Sequence, residues 1–287
     1  MNASQNRHIQ YVTRFGLLIS CSFLMFVLIV GLPLSGAVAS ELTGRQVMEK
    51  QEELHKAQSE YGEEVMLLVD TKSGSKEKRD VKRYAKDVGD DLNRALLVFL
   101  KPADIKGTAL LTHENPDTDD QWLYMPAVKK MQRIAQGSKK SYFMGTDFTY
   151  EDMEPEDIDN YNYTIKKEET ADHVKPPKDC YVIEAVPANK EKKKATSYSK
   201  RLIWVDKENF TTVKVEFYDR RKRLLKTQKS FEFENLTGTV YRPKKTIMDN
   251  HKKKHKTLSL VKKRTLNESI EDSVFTERFI MSGKHVE

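Results

Sequence analysis

Thr211-Thr212-Val213-Lys214-Val215-Glu216-Phe217-Tyr218 sets two valines and a phenylalanine in alternation with a lysine, a glutamate and a tyrosine. A period of two sends the first set to one face of a strand and the second set to the other. The stretch therefore predicts a sheet with one buried face and one wet face. Apolar, strand-forming runs flank it at residues 180–186, 201–205, 223–234, 240–248, 257–261 and 273–280. Polar runs with turn chemistry at 206–209, 219–222, 235–238 and 249–252 join the neighbours. Many strands linked by short turns predict a mainly β (α+β) fold, a curved antiparallel sheet or partial barrel.

The N-terminal half repeats the theme. Strands are predicted at 64–70 before the Ser73-Gly74-Ser75 turn, at 81–84, at 95–100 up to Pro102, at 107–112, and at 122–125 before Pro126. One helix is predicted over 41–60, with Leu42, Val47 and Leu54 along one side and Gly62 just past its end. The acid-rich segment 147–159, containing Pro155, reads as a loop with a short helix. Residues 166–178 and 188–199 read as charged excursions, the second holding Lys190-Glu191-Lys192-Lys193-Lys194.

The chain has 287 residues, 38% hydrophobic and 32% charged, which predicts a folded protein with a heavily charged surface. Its first 39 residues differ from the rest. They carry Arg7 and Arg14, no acid, and an apolar run over 15–34, and they end in Ala37-Val38-Ala39. This is the pattern of a signal peptide cleaved after Ala39, leaving 40–287 as one domain. The alternative is a retained anchor, because the run approaches the roughly 20 residues that span a bilayer. Pro33 and Gly36 break the helix ahead of the small-residue site and favour cleavage. Either reading places the remainder outside the cytoplasm, in the periplasm of a bacterium. Cys21 follows Leu18-Ile19-Ser20 as in a lipoprotein box, but such a box closes the apolar run and here residues 22–30 continue it. Cleavage leaves Cys180 as the sole cysteine, so no internal disulfide is expected. Loss of Arg7 and Arg14 lowers the formal charge from +7 to +5. That balance suits anionic membrane surfaces or acidic partners, and export argues against nucleic acid.

Candidate chemistry is sparse. Asp147, Glu151, Asp152, Glu154, Glu156, Asp157 and Asp159 lack the ligand spacing and central glycine of a calcium loop, so Asp147 and Asp152 read as turn or cap residues. His251 and His255 are separated by three lysines that repel a cation, which argues against zinc. No nucleophile elbow, Ser-His-Asp order, phosphate loop or cysteine nucleophile is present. The expectation is a non-enzyme with no catalytic residue, metal or cofactor, and a secreted hydrolase using the acidic loop is the enzymatic alternative.

Three ordered blocks carry a resemblance. Phe99-Leu100-Lys101-Pro102-Ala103-Asp104-Ile105-Lys106-Gly107-Thr108-Ala109-Leu110-Leu111 is similar to the F-x-x-P-x-x-x-x-G-T-x-x-L stretch of the outer-membrane lipoprotein-sorting family. Gln121-Trp122-Leu123-Tyr124-Met125-Pro126-Ala127, followed by Arg133-Ile134, resembles its W-L-Y-L-P-A-L and arginine block, with Met131-Gln132 in place of a more basic pair. Phe143-Met144-Gly145-Thr146-Asp147-Phe148-Thr149-Tyr150-Glu151-Asp152 resembles its F-M-G-S-D-F-S-Y-E-D block. The resemblance implies an incomplete antiparallel barrel like that of LolA and LolB, with a few helices across its open side and an apolar cavity for acyl chains. It implies a periplasmic carrier of lipoprotein or lipid cargo. A binding accessory of an inner-membrane exporter of the resistance-nodulation-division type is the alternative, and transient membrane-surface contact fits both. Within the blocks Pro102, Gly107, Trp122, Tyr124, Pro126, Arg133, Gly145, Asp147, Tyr150 and Asp152 are the candidate structural or cargo-binding residues. Trp122 and Tyr124 read as packing residues or a cavity rim. Arg133 reads as a salt-bridge or head-group residue, and Met125, Met131, Met144 and Met153 as adaptable lining.

Overall fold

The computed structural model describes residues 41–90 and 92–287, so the expected signal segment and its Ala39 cleavage site lie outside the described residues. Thr43 starts helix α1 (Gly44–His55) with a capping box. Its hydroxyl accepts from the Gln46 amide, while the Gln46 side chain accepts from the Thr43 amide at 2.9 Å. The helix is shorter than its residue propensities predict, because the chain turns extended at Lys56 and enters β1 (Ser59–Asp70). Gly62 is a strand residue, paired with Arg83 on one side and Arg264 on the other, and not a helix stop. Two full ladders outweigh the helix propensity of 57–60.

From β1 the chain steps outward through β2 (Lys76–Asp87), β3 (Asn93–Lys101), β4 (Ala109–His113), β5 (Asp120–Met125) and β6 (Lys130–Arg133). Residues 134–160 then cross to the far edge. The chain returns through β7 (Tyr161–Ala171), β8 (Lys178–Pro187), the short helix α2 (Lys190–Ala195), β9 (Tyr198–Asp206), β10 (Thr212–Asp219), β11 (Leu224–Thr237), β12 (Val240–Asn250) and β13 (His255–Leu266). β13 pairs with β1, closing the meander in the middle of a single 13-stranded sheet whose edges are β6 and β7. Every pairing is antiparallel, and the edges do not pair with each other, so the curved sheet stays open.

Neither edge strand alternates over its whole length, although Tyr161, Tyr163 and Ile165 alternate with Asn162 and Thr164 at the start of β7. β6 reads Lys-Met-Gln-Arg, and β7 carries Lys166-Lys167-Glu168-Glu169, so what reads as a charged excursion is a strand blunted against further pairing. The other excursion holds α2, capped by the Asn189 side chain accepting from the Lys192 amide. The predicted last strand, 273–280, is also corrected. It forms a 3-10 turn (Asp272–Phe275) and helix α3 (Glu277–Met281), started by Thr276 as cap. Phe275, Phe279 and Ile280 fall at helical spacing and seat on the apolar outer face of β3 to β5.

The crossing segment reveals the curvature. Its Phe148 packs with Ile183, Val215 and Phe217 of the C-terminal half, while its Phe143 and Tyr150 pack with Leu68, Val81, Phe99 and Leu123 of the N-terminal half. One short segment reaches both halves only if the sheet bends round it into a trough. Two further clusters lie on the outer face, one under the C-terminal tail and one under Ala171 and Val174.

Candidate functional site

A cavity of about 360 Å³ opens between α1 and the trough wall. Its inner surface comes from Met48 of α1, Tyr161 and Tyr163 of β7, Tyr198 and Ile203 of β9, and Val215 and Phe217 of β10, all strand positions that the alternation turns inward. Glu52, Asp119, Glu154 and Glu156 stand at the outer part and are shared with a wider opening of about 1260 Å³ between α1, the strand turns and α2. The result is a pocket of mixed lining, in which these aromatic and aliphatic side chains stand beside Gln51, Asp152, Arg201 and Gln228, behind a carboxylate-rich mouth. Of the mouth acids, Glu156 is held in a bidentate pair by Arg201, whose guanidinium also lies 4.2 Å from the Tyr161 ring centroid.

The crossing segment forms one wall, and a buried polar network holds it. Asp147 is fully buried; its carboxylate accepts from the Thr257 hydroxyl at 2.8 Å and lies 2.7 Å from His255 Nδ1 on the same strand, β13. The Asp147 amide donates back to Thr257 Oγ1 at 2.9 Å. Asp152 accepts from the Thr149 amide at 2.6 Å, from the Tyr198 hydroxyl at 2.7 Å and from the ammonium of Lys226, which is itself fully buried. Burial, with Asp152 and Glu151 alongside, holds the Tyr198 phenol well above its ordinary value, so it remains a donor. On the other side of the trough Arg79 donates to the Met144 carbonyl at 2.5 Å, and the buried Gln121 amide donates to the Tyr150 carbonyl at 3.1 Å. Asp152 lies within the 3-10 turn Glu151–Met153 and reaches back to the Thr149 amide, with Lys226 and Tyr198 as its other partners. Asp147 is instead a hydrogen-bond partner of His255 and Thr257, a contact that the lysine-rich surroundings of His255 gave no reason to expect.

Glu154 sits at the mouth beside the Lys139 ammonium. Burial pushes its carboxyl up to about 7, against the opposing pull of Lys139. A folded-state value above the unfolded one means that this group's stabilisation is complete below about pH 4.5 and is lost as pH rises through 7. Glu154→Gln is expected to remove about 2–3 kcal/mol of pH dependence between roughly pH 5 and 8. Urea midpoints across that range check it, and identical profiles for parent and variant would contradict it.

The ten signature residues separate into groups. Gly107 adopts φ +82°, and its carbonyl accepts from His285, so the C-terminal tail closes over Pro126 and Tyr124, with the Tyr124 and His285 rings edge to face at 5.6 Å. Trp122 and Tyr124 belong to the outer packing cluster. Pro102 follows Lys101 at the end of β3 through a cis peptide bond. Arg133 pairs with Asp120 across the β5–β6 edge. Gly145 at φ +77°, Asp147, Tyr150 and Asp152 shape and lock the crossing segment, and among the ten Asp152 alone lines the cavity. The four methionines near the signature pack in the two N-terminal clusters, so the methionine that reaches the cavity is Met48. Lys226, Tyr198 and Met48 carry no motif. The signal for Lys226 was a lysine among the strand positions that pair with Asn250, Met248 and Thr246 on the inward face. Among the described residues no group of three or more histidine, cysteine or carboxylate side chains is placed to hold a metal ion.

Residues 91–282 match a family model described as "-like: Uncharacterized protein". No curated protein matches the sequence. Among solved structures, the chain is similar to one described as an outer membrane lipoprotein-sorting protein domain from Vibrio parahaemolyticus. The identity is 28% over 83% of this chain and 98% of that one, with a TM-score of 0.76. A DUF1329 family protein from Desulfovibrio piger is 27% identical over 83% and 97%, with a TM-score of 0.76. A LolA superfamily protein from Nitrosomonas europaea, 22% identical over 83% and 100% with a TM-score of 0.64, shares the fold. The chain thus belongs to the family matched over 91–282, and it shares its fold with the Vibrio lipoprotein-sorting domain and the Nitrosomonas LolA superfamily protein.

Proposed function

We propose that the protein is a periplasmic carrier that shelters one acyl chain, or a lipid portion of similar size, under α1 and moves it toward the outer membrane. The reading rests on the cavity: a cluster of aromatic and aliphatic side chains shares its wall with Gln51, Asp152, Arg201 and Gln228 behind an acidic mouth, and its volume is near the lower end of small-ligand pockets, which run from about 300 to 1,000 Å³. Removing about ten methylenes from water supplies roughly 8 kcal/mol before the costs of association, enough to hold a chain and small enough to release it. The sorting role named for the Vibrio relative supports the same reading. In this proposal residues 1–39 are a signal peptide removed on export and 40–287 act as one domain.

Native mass spectrometry of the protein from its own periplasm, followed by lipid extraction, tests it. One acylated species per protein is expected. Met48→Trp, on the cavity side of α1, is expected to lower its occupancy at least tenfold while leaving the circular dichroism spectrum unchanged. Protein that stays empty after incubation with membrane extract would remove the carrier reading.

A further inference from the structure

The outward face of the sheet at its centre is apolar, partly exposed and, among the described residues, free of any covering element. In β1, Met66 and Leu68 are buried in the trough, so the alternation turns Val65, Leu67 and Val69 outward. Leu258 and Leu260 do the same between the buried Thr257, Ser259 and Val261 of β13, as does Ile247 beside the buried Met248 of β12. The register places Leu67 opposite Leu258, Leu258 opposite Ile247, and Val65 opposite Leu260, so the six side chains form one patch across three adjacent strands. All six remain partly exposed, and none joins any of the four apolar clusters among the described residues. Elsewhere the outward face is covered, by the C-terminal tail over β3 to β5 and by Ala171 and Val174 over β8 to β10.

Lysines rim the patch. Lys76 and Lys78 of β2 pair with Val69 and Leu67, Lys256 lies opposite Val69, Lys245 opposite Leu260, and Lys229 opposite Ile247. The acids in the same rows are Asp80, Asp249 and, further out on β10, Glu216, which is 2.7 Å from Lys214. Asp249 is 2.7 Å from Lys256, and Asp80 is shared between Lys78 and Lys101 at 3.9 and 3.3 Å. The exposed Lys252 and Lys254 extend the basic side into the β12–β13 turn, which Thr71 ties to β1 through the Lys254 carbonyl.

We propose that this face docks on the surface of an anionic bilayer, with the six apolar side chains at the headgroup boundary and the lysine ammonium groups among lipid phosphates. Apolar side chains ringed by cations whose stems can lie along them are what an anionic interface recognises. A second copy seated face to face would instead oppose two lysine rims. The carboxylate-rich mouth belongs to the trough side of the sheet, so the same surface repels it, and the charge asymmetry orients the docked protein with its mouth away from the headgroups.

Cosedimentation of the full chain with vesicles of phosphatidylethanolamine and phosphatidylglycerol, against phosphatidylcholine alone, tests the proposal. The N-terminal segment is common to parent and variants, so the comparison between them isolates the patch. Preference for the phosphatidylglycerol vesicles is expected, with partitioning lowered about 25-fold by Lys78→Gln with Lys245→Gln, at about fivefold per lysine. Leu67→Asn with Leu258→Asn is expected to lower it at least tenfold, both pairs leaving the thermal midpoint within a few degrees. Equal binding by parent and variants, or a concentration-dependent dimer that only the leucine pair abolishes while vesicle binding persists, would overturn it. Met48→Trp is expected to leave vesicle binding intact, so loss of the carrier reading and loss of this one are separate results.

Discussion

Lys226→Met is expected to lower the free energy of unfolding by about 3–5 kcal/mol, the range seen when one member of a buried ion pair is removed. The ammonium is fully buried; it lies against the Asp152 carboxylate, 3.2 Å from the Asp147 carbonyl oxygen, and 4.9 and 5.2 Å from the ring centroids of Phe217 and Tyr198. Methionine retains much of the stem volume, so the substitution isolates the charge. Asp152, its side chain 6% exposed, is then left with the Tyr198 hydroxyl and the Thr149 amide as donors to a largely buried carboxylate. Adding Asp152→Asn removes the second charge and should recover most of the loss. Urea unfolding followed by the fluorescence of Trp122 and Trp204 measures both. A single variant within about 1 kcal/mol of the parent would show that the pair contributes no net stability.

Phe143→Ala is expected to cost about 3–5 kcal/mol, and to do so locally. Phe143 is 1% exposed, with its ring 5.6 Å from that of Phe99 and 5.5 Å from that of Tyr150. It is the apolar anchor of the crossing segment on the N-terminal half of the sheet, as Asp147 and Asp152 are its polar anchors on the C-terminal half. Its truncation leaves a cavity beneath 143–150 and none beneath the central ladders. Hydrogen exchange should therefore accelerate in 134–160 while β1, β12 and β13 keep their protection. Acceleration spread evenly over the sheet would mean that the segment is not a separable unit. The cavity wall at Glu151 to Glu156 belongs to this segment, so the variant also links loop order to cargo retention.

The central strands were legible because they alternate. Val215 and Phe217 against Lys214, Glu216 and Tyr218 announced β10, although the register shift between Thr212 and Lys214 puts Val213 in the outer cluster and not on their face, and the apolar run 95–100 announced β3, whose two faces are both covered. β6 and the second half of β7 were not, because an edge has one partner and one exposed flank, and there the charges erase the pattern that marks a strand, whereas Tyr161, Tyr163 and Ile165 do alternate at the start of β7. Val274, Phe275, Phe279 and Ile280 misled for another reason. Their β-forming character is real, but Thr276 caps a helix there, and the spacing of Phe275 to Phe279 and Ile280 suits a helix seated on a sheet.

The signature blocks were sufficient for the family and not for the site. Gly107, Pro126, Tyr124 and Gly145 shape turns and seat the tail or the crossing segment, which is why their identity is narrowly constrained by φ and by contact. The cavity instead draws on Met48 of α1, Tyr161 of β7, Tyr198 of β9 and Phe217 of β10, each an ordinary apolar position in its own element.

Periodicity, turn chemistry and the three blocks were enough to specify an antiparallel β-protein of this family, because each depends on residues within a few positions of one another. The pairing of β1 with β13, the burial of Lys226 against Asp152, the contact of Asp147 with His255 and Thr257, and the lysine-rimmed outward face all emerged only when the sheet curved. They join residues from about 70 to 200 positions apart, and no local pattern reports which side of a strand a distant segment will cover.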